Sequence, residues 1–208
     1  MKKLTLISIY FILLNSLFAK DIPNDFLEIF KPGDHCVSYV SYKKVFILND
    51  TKIIGKNCSA QASLSSKKLT HYQVKVNIPI IMFDSDNPNR DKNVAMLLNI
   101  SKKPNMVFTS KPISSQFLKT ILKQENKYFD IEGTIATAMG DIPVSSKVSV
   151  SFQGGNYVFY GKIRSTYEAF KIIIPSFGPS RFLMHAEEFF DIYFQFQSTK
   201  IDNFEKLK

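Results

Sequence analysis

The chain has 208 residues, a formal net charge of +9 and two cysteines. That length suits one domain with a sizeable core, and lysines spread along the chain speak against a nucleic-acid stripe. No CxxC, CxxCH, P-loop, G-x-G-x-x-G or G-x-S-x-G pattern occurs, so thioredoxin-like redox chemistry, covalent haem, nucleotide binding and an esterase-type serine all lack a basis.

The chain begins with an export signal. Lys2 and Lys3 precede a charge-free run from Leu4 to Leu14, and Leu17-Phe18-Ala19 offers a small residue for cleavage. The run is shorter than the roughly 20 residues a spanning helix needs; an uncleaved anchor is the alternative. Residues 1–19 are thus expected to be removed, which lowers the charge from +9 to +7 and directs the rest to the periplasm. Residues 20–198 then form one β domain, and the polar stretch 199–208 is expected to fray as a C-terminal tail.

Cys36 and Cys58 come next. In an oxidising compartment a lone pair is expected to form a disulfide, with two free thiols as the alternative. Closing that loop contributes roughly 3 kcal/mol in the chain-entropy model.

From here the dominant period is two. Tyr72 to Ile80 alternates with Val74, Val76, Ile78 and Ile80 on one side; Val148 to Phe152 and Ile192 to Gln197 repeat the pattern. Weaker strands are expected over 37–48, 106–109, 129–136 and 157–165. Gly154-Gly155-Asn156 reads as a hairpin turn, with another at Met139-Gly140-Asp141. Helix signals are few. Asn87 caps and Pro88 opens one helix with an apolar stripe of Val94, Leu97 and Leu98. Ser115 to Gln124 gives a second, with Leu118, Ile121 and Leu122 on one face. Glu168 to Ile174 suits either a third helix or a strand. The fold class is therefore all-β: an up-and-down barrel or a sandwich with one or two short inserted helices.

Several motifs in this order resemble the YceI-like family of exported, lipocalin-like proteins. They are the strand Val74–Ile80, the loop Phe83 to Asp91 ending in Arg90-Asp91 at a helix start, and Pro104-Asn105-Met106-Val107-Phe108. The hairpin with Glu132-Gly133-Thr134, Gly140 and Val144 completes the set. The chain departs from the family pattern at Lys92–Ala95, where a His-Leu is usual, and at Ile135-Ala136 in place of Leu-Thr. The resemblance implies an extended antiparallel, lipocalin-like β-barrel holding a long isoprenoid or other lipid chain in an apolar tunnel.

The candidate site follows. Phe108, Ile131, Val150, Phe152, Phe159, Phe194 and Phe196 either pack as a closed core or line such a tunnel. Arg90 and Asp91 either pair structurally at the rim or meet a ligand's polar head, since the Arg fork suits phosphate or carboxylate. Arg164 and Arg181 are rim charges or head-group partners. The Asp84–Asp91 cluster lacks the Gly and Glu that a calcium hand requires at its sixth and twelfth positions. His35, His71 and His185 show no ligand spacing, so no metal, cofactor or catalytic residue is expected. The resulting expectation is a periplasmic carrier that sequesters an isoprenoid or lipid and is not an enzyme. A packed barrel that binds an envelope protein is the main alternative, an enzyme on a lipid substrate a weaker one. The sequence leaves a homodimer open.

Overall fold

The computed structural model describes residues 23–45, 48–68, 70–124, 127–174 and 184–207. Residues 1–19, Arg181 and the His185 side chain lie outside them. In chain order the elements are α1 (Asn24–Ile29), β1 (Cys36–Val45), β2 (Leu48–Asn57), β3 (Gln61–Lys68), β4 (His71–Pro79), α2 (Pro88–Leu97), β5 (Asn105–Ser110) and β6 (Ile113–Ser114). After these come α3 (Ser115–Leu122), β7 (Lys127–Thr137), β8 (Gly140–Gln153), β9 (Asn156–Thr166), β10 (Met184–Gln197) and β11 (Ile201–Asp202). No helix among the described residues is long and apolar enough to cross a membrane.

One curled sheet runs β11-β3-β4-β5-β7-β8-β9-β10-β1-β2, with β6 also on β4. Every pairing is antiparallel except that of β11 on β3. The alternating runs explain this: one face of each strand turns inward and the other stays wet or covered. Gly154 and Gly155, at φ +55° and +84°, make the tight β8–β9 turn that only glycine adopts freely on both sides. The β7–β8 hairpin closes at Thr137 opposite Gly140.

The sheet's terminal strands, β2 and β11, do not pair with each other. The β2 edge is instead blunted by a two-way backbone bridge between Lys56 and Asp84, at 2.7 and 2.9 Å. Cys36 and Cys58 form a disulfide that ties the start of β1 to the turn between β2 and β3. Outside the barrel, α1 lays Phe26 and Ile29 on Val40, Val158, Tyr160 and Tyr193, giving the outer face its own apolar cluster.

Two expectations change. The stretch 199–207 is not a frayed tail. Ile201 and Asp202 pair in parallel with Ala62 and Ser63, and Phe204 and Leu207 are only 4% and 2% exposed. Its polar composition hid two apolar residues three apart, which share a face in the 3-10 turn they form. Residues 168–174 are neither helix nor strand. Hydrogen-bonded turns end where Lys171 takes φ +54°, and Phe170 is almost fully buried.

Candidate functional site: a two-chambered apolar interior

The inward faces of the strands do not close on one another. They enclose a narrow chamber of about 120 Å³ and a wider one of about 510 Å³. Val37, Ile78, Ile135 and Ile192 line both and so stand between them. The narrow chamber is walled by aromatic and branched side chains, with Ser146 its single polar lining residue among those described. Ser146 Oγ is occupied: it donates to the Lys162 carbonyl at 3.1 Å. Helices α2 and α3 serve different chambers. Leu118, Ile121 and Leu122 of α3 face the narrow chamber, while Val94, Leu97 and Leu98 of α2 face the wide one.

Room for large aromatic side chains comes from glycines on neighbouring strands. A Cβ on Gly161 would meet the Phe194 ring at 2.4 Å, and one on Gly133 would meet the Phe108 ring at 2.6 Å. One on Gly55 would meet the Tyr39 ring at 2.2 Å. The rings therefore lie flat along the wall, over bare backbone, instead of filling the interior.

The wide chamber has a polar rim. Tyr39, Ser41, Asn87, Asn89, Arg90 and Asn93 contribute to its lining. The loop before α2 builds this rim from its own sequence. Asn87 caps the helix by accepting from the Arg90 amide at 3.0 Å. Asp91 Oδ1 accepts from the Ser85 amide at 3.1 Å and from its hydroxyl. Arg90 Nε donates to Ser85 Oγ at 2.8 Å, and its Nη2 donates to the Ser85 carbonyl. These bonds hold the guanidinium against the loop at the chamber's edge. The Tyr39 hydroxyl is buried without a hydrogen-bond partner among the described residues, and burial pushes its pKa up. Ser41 Oγ and the Tyr167 hydroxyl satisfy each other at 2.7 Å.

Of the residues singled out by sequence, Phe108, Ile131, Phe159, Phe194 and Phe196 line the narrow chamber and Arg90 lines the wide one. Asp91 stands behind Arg90, bound to Ser85. Val150 is buried against Phe129 and Ile131 but is not on the chamber wall. Phe152 is a correction: it shares the inward parity of Val148, yet at the strand's end it lies past the chamber, 51% exposed and packed on Tyr157.

Arg164 is a second correction. Gly161 and Ile163 set the inward parity of β9, so Arg164 points outward. There its Nε and Nη2 reach the two oxygens of Asp191 at 2.8 and 3.0 Å. Asp191 is fully buried, and Tyr42 donates to it at 2.7 Å. Burial would raise the Asp191 pKa, but these hydrogen bonds outweigh it and hold it below the ordinary value. This is a structural ion pair under the outer cluster, not a head-group contact.

Sequence reasoning missed Tyr39, Asn93, Tyr167 and Phe170 on the wide chamber. It also missed Ile201, Phe204 and Leu207, which line the end of the narrow one. The alternation Val37-Tyr39-Ser41 was a usable signal for the first of these. Nothing local marks the others.

Comparison with known proteins places this architecture. The model of the YceI-like domain matches residues 37–196. The structure resembles Burkholderia cenocepacia BcnA with a TM-score of 0.56 at 15% identity, covering 78% of this chain and 94% of that one. It also resembles a polyisoprenoid-binding domain from Saccharophagus degradans implicated in plant cell wall breakdown, with a TM-score of 0.54 at 10% identity, over 78% and 91% of the two chains. Among curated proteins none matches the sequence. With the family model spanning most of the curled sheet, the chain belongs to the YceI-like domain family.

Proposed function

We propose that this protein is a periplasmic binding or carrier protein that sequesters one long isoprenoid or other lipid chain in its interior. The observation that carries the reading is the pair of adjacent apolar chambers that share Val37, Ile78, Ile135 and Ile192 as lining. A packed barrel acting only through its surface would have filled that space. Each 100 Å² of apolar ligand surface withdrawn from water contributes about 2.5 kcal/mol, so an alkyl or prenyl chain binds with few polar contacts. The polar end is the rim of the wide chamber, where Arg90, Asn93 and the unpaired Tyr39 hydroxyl suit a phosphate, carboxylate or phenolic head.

Family membership supports a binding role over catalysis, as does the fold shared with a polyisoprenoid-binding domain. The basic, apolar and small-residue order of residues 1–19 supports export.

The test is native mass spectrometry of the full-length product isolated from its own cell envelope, followed by organic extraction. A long-chain molecule at one per protein is the expected result. A bare protein mass that takes up neither a quinone nor a polyprenyl phosphate would overturn the reading. Periplasmic release on osmotic shock, with loss of residues 1–19 from the mature mass, checks the location.

A further inference from the structure

We infer that the C-terminal segment 198–207 is the closed end of the narrow chamber and sets the length of chain the protein accepts. The inference rests on the carrier reading above and adds the specificity-determining residues, Phe204 and Leu207.

The segment lies beyond residue 196, where the family match ends. It is fastened at several points. Ser198 Oγ accepts from the Tyr157 amide at 3.0 Å. Ile201 and Asp202 add a short parallel strand to β3. The Tyr72 hydroxyl donates to the Lys206 carbonyl at 2.9 Å.

Asn203 then turns the chain at φ +62°, a conformation asparagine tolerates better than most residues. The 3-10 turn that follows presents Phe204 and Leu207 together, and both join the lining of the narrow chamber. Across from them stand Leu118 and Leu122 of α3. Phe204 also meets the Phe159 ring edge-on at 5.7 Å. A ligand chain that runs from the wide chamber past Val37, Ile78, Ile135 and Ile192 would end against Phe204 and Leu207. A closed apolar wall of this kind discriminates by added methylene groups, because an overlong chain must either displace packed side chains or leave apolar surface in water.

The experiment uses the full-length wild type, Phe204→Ala and Leu207→Phe, with polyprenyl monophosphates of increasing isoprene number as probes. Affinity is read by competition against a fluorescent fatty acid. Wild type is expected to bind more tightly as the chain lengthens up to a limit, then lose about tenfold or more for the next unit. Phe204→Ala moves that limit to a longer chain, and Leu207→Phe moves it to a shorter one. Opposite shifts cannot arise from general destabilisation; should Phe204→Ala fold poorly, Phe204→Leu takes its place as the variant that moves the limit to a longer chain. A wild-type limit that neither variant moves overturns the gauge and leaves the carrier reading standing. Failure of the wild type to bind any chain length overturns both.

Discussion

Phe194 and Gly161 face each other directly across β9 and β10, and a Cβ at position 161 would stand 2.4 Å from the Phe194 ring and 2.8 Å from the Lys147 carbonyl. The backbone side is fixed by the sheet, so the ring must give way, and the chamber it lines offers it room. The empty interior thus depends on a missing side chain. Gly161→Ala is expected to cost about 1–3 kcal/mol through overpacking. It is also expected to weaken uptake of a polyprenyl phosphate. Urea unfolding and lipid titration on the same preparation check both; unchanged uptake would show that Phe194 moves outward instead.

Arginines 90 and 164 should separate cleanly. Arg164→Ala strips the partner from a fully buried Asp191 and is expected to lower stability by about 2 kcal/mol, discounted because the guanidinium itself is largely exposed. Lipid affinity should stay as it was. Arg90→Ala gives up its hydrogen bonds to Ser85 and should lower stability by only about 1 kcal/mol, while weakening a phosphate-headed lipid more than the matching neutral alcohol. Thermal melts and paired titrations test the contrast.

The disulfide anchors the start of β1 to the β2–β3 turn beside the sheet's open edge. Replacing Cys36 and Cys58 by serine together is expected to reduce stability by about 3 kcal/mol in denaturant unfolding. Reduction of the wild type should give a loss of the same size, which distinguishes the crosslink from the packing of the two side chains.

His35 links the entry to β1 with the start of the C-terminal segment. Its Nδ1 accepts from the Gln197 amide at 3.1 Å, and burial, with Lys200 nearby, lowers its pKa from 6.5 to about 4. The folded state thus keeps His35 neutral where the unfolded chain takes up a proton. Its contribution is intact above pH 6.5 and is lost as pH falls from there to about 4. A fall of roughly 2 kcal/mol is expected across that window, allowing for partial screening by water. His35→Gln should flatten it. A wild-type profile level from pH 6.5 to 4 would show that His35 is not held neutral.

Local sequence carried much of the wall. The alternation of Val74, Val76 and Ile78 gave β4 its inward face, and the stripes on α2 and α3 marked the faces that reach the two chambers. Asn87 and Pro88 set the start of α2 as caps do anywhere, since capping needs only neighbours. β2 and β3 were not legible, because neither carries a clean apolar alternation and each is held by its place in the sheet. Parity along β8 put Phe152 inside, but parity says nothing about where a strand outruns the chamber.

The amino-acid order by itself determined the strands with clean alternation, the helices α2 and α3, the cysteine pair and the likeness to the YceI-like family, because each follows from spacing along a few residues. Only the tertiary structure decided whether the aromatic stripes close on one another or stand apart. That outcome rests on cross-strand partners such as Phe194 over Gly161 and Phe108 over Gly133, whose meeting depends on register between segments far apart in the chain. Tertiary structure also turned Arg164 outward to Asp191 and brought Phe204 and Leu207 from a polar terminus to the end of the chamber. Long-range pairing, not local propensity, supplies the reason in each case.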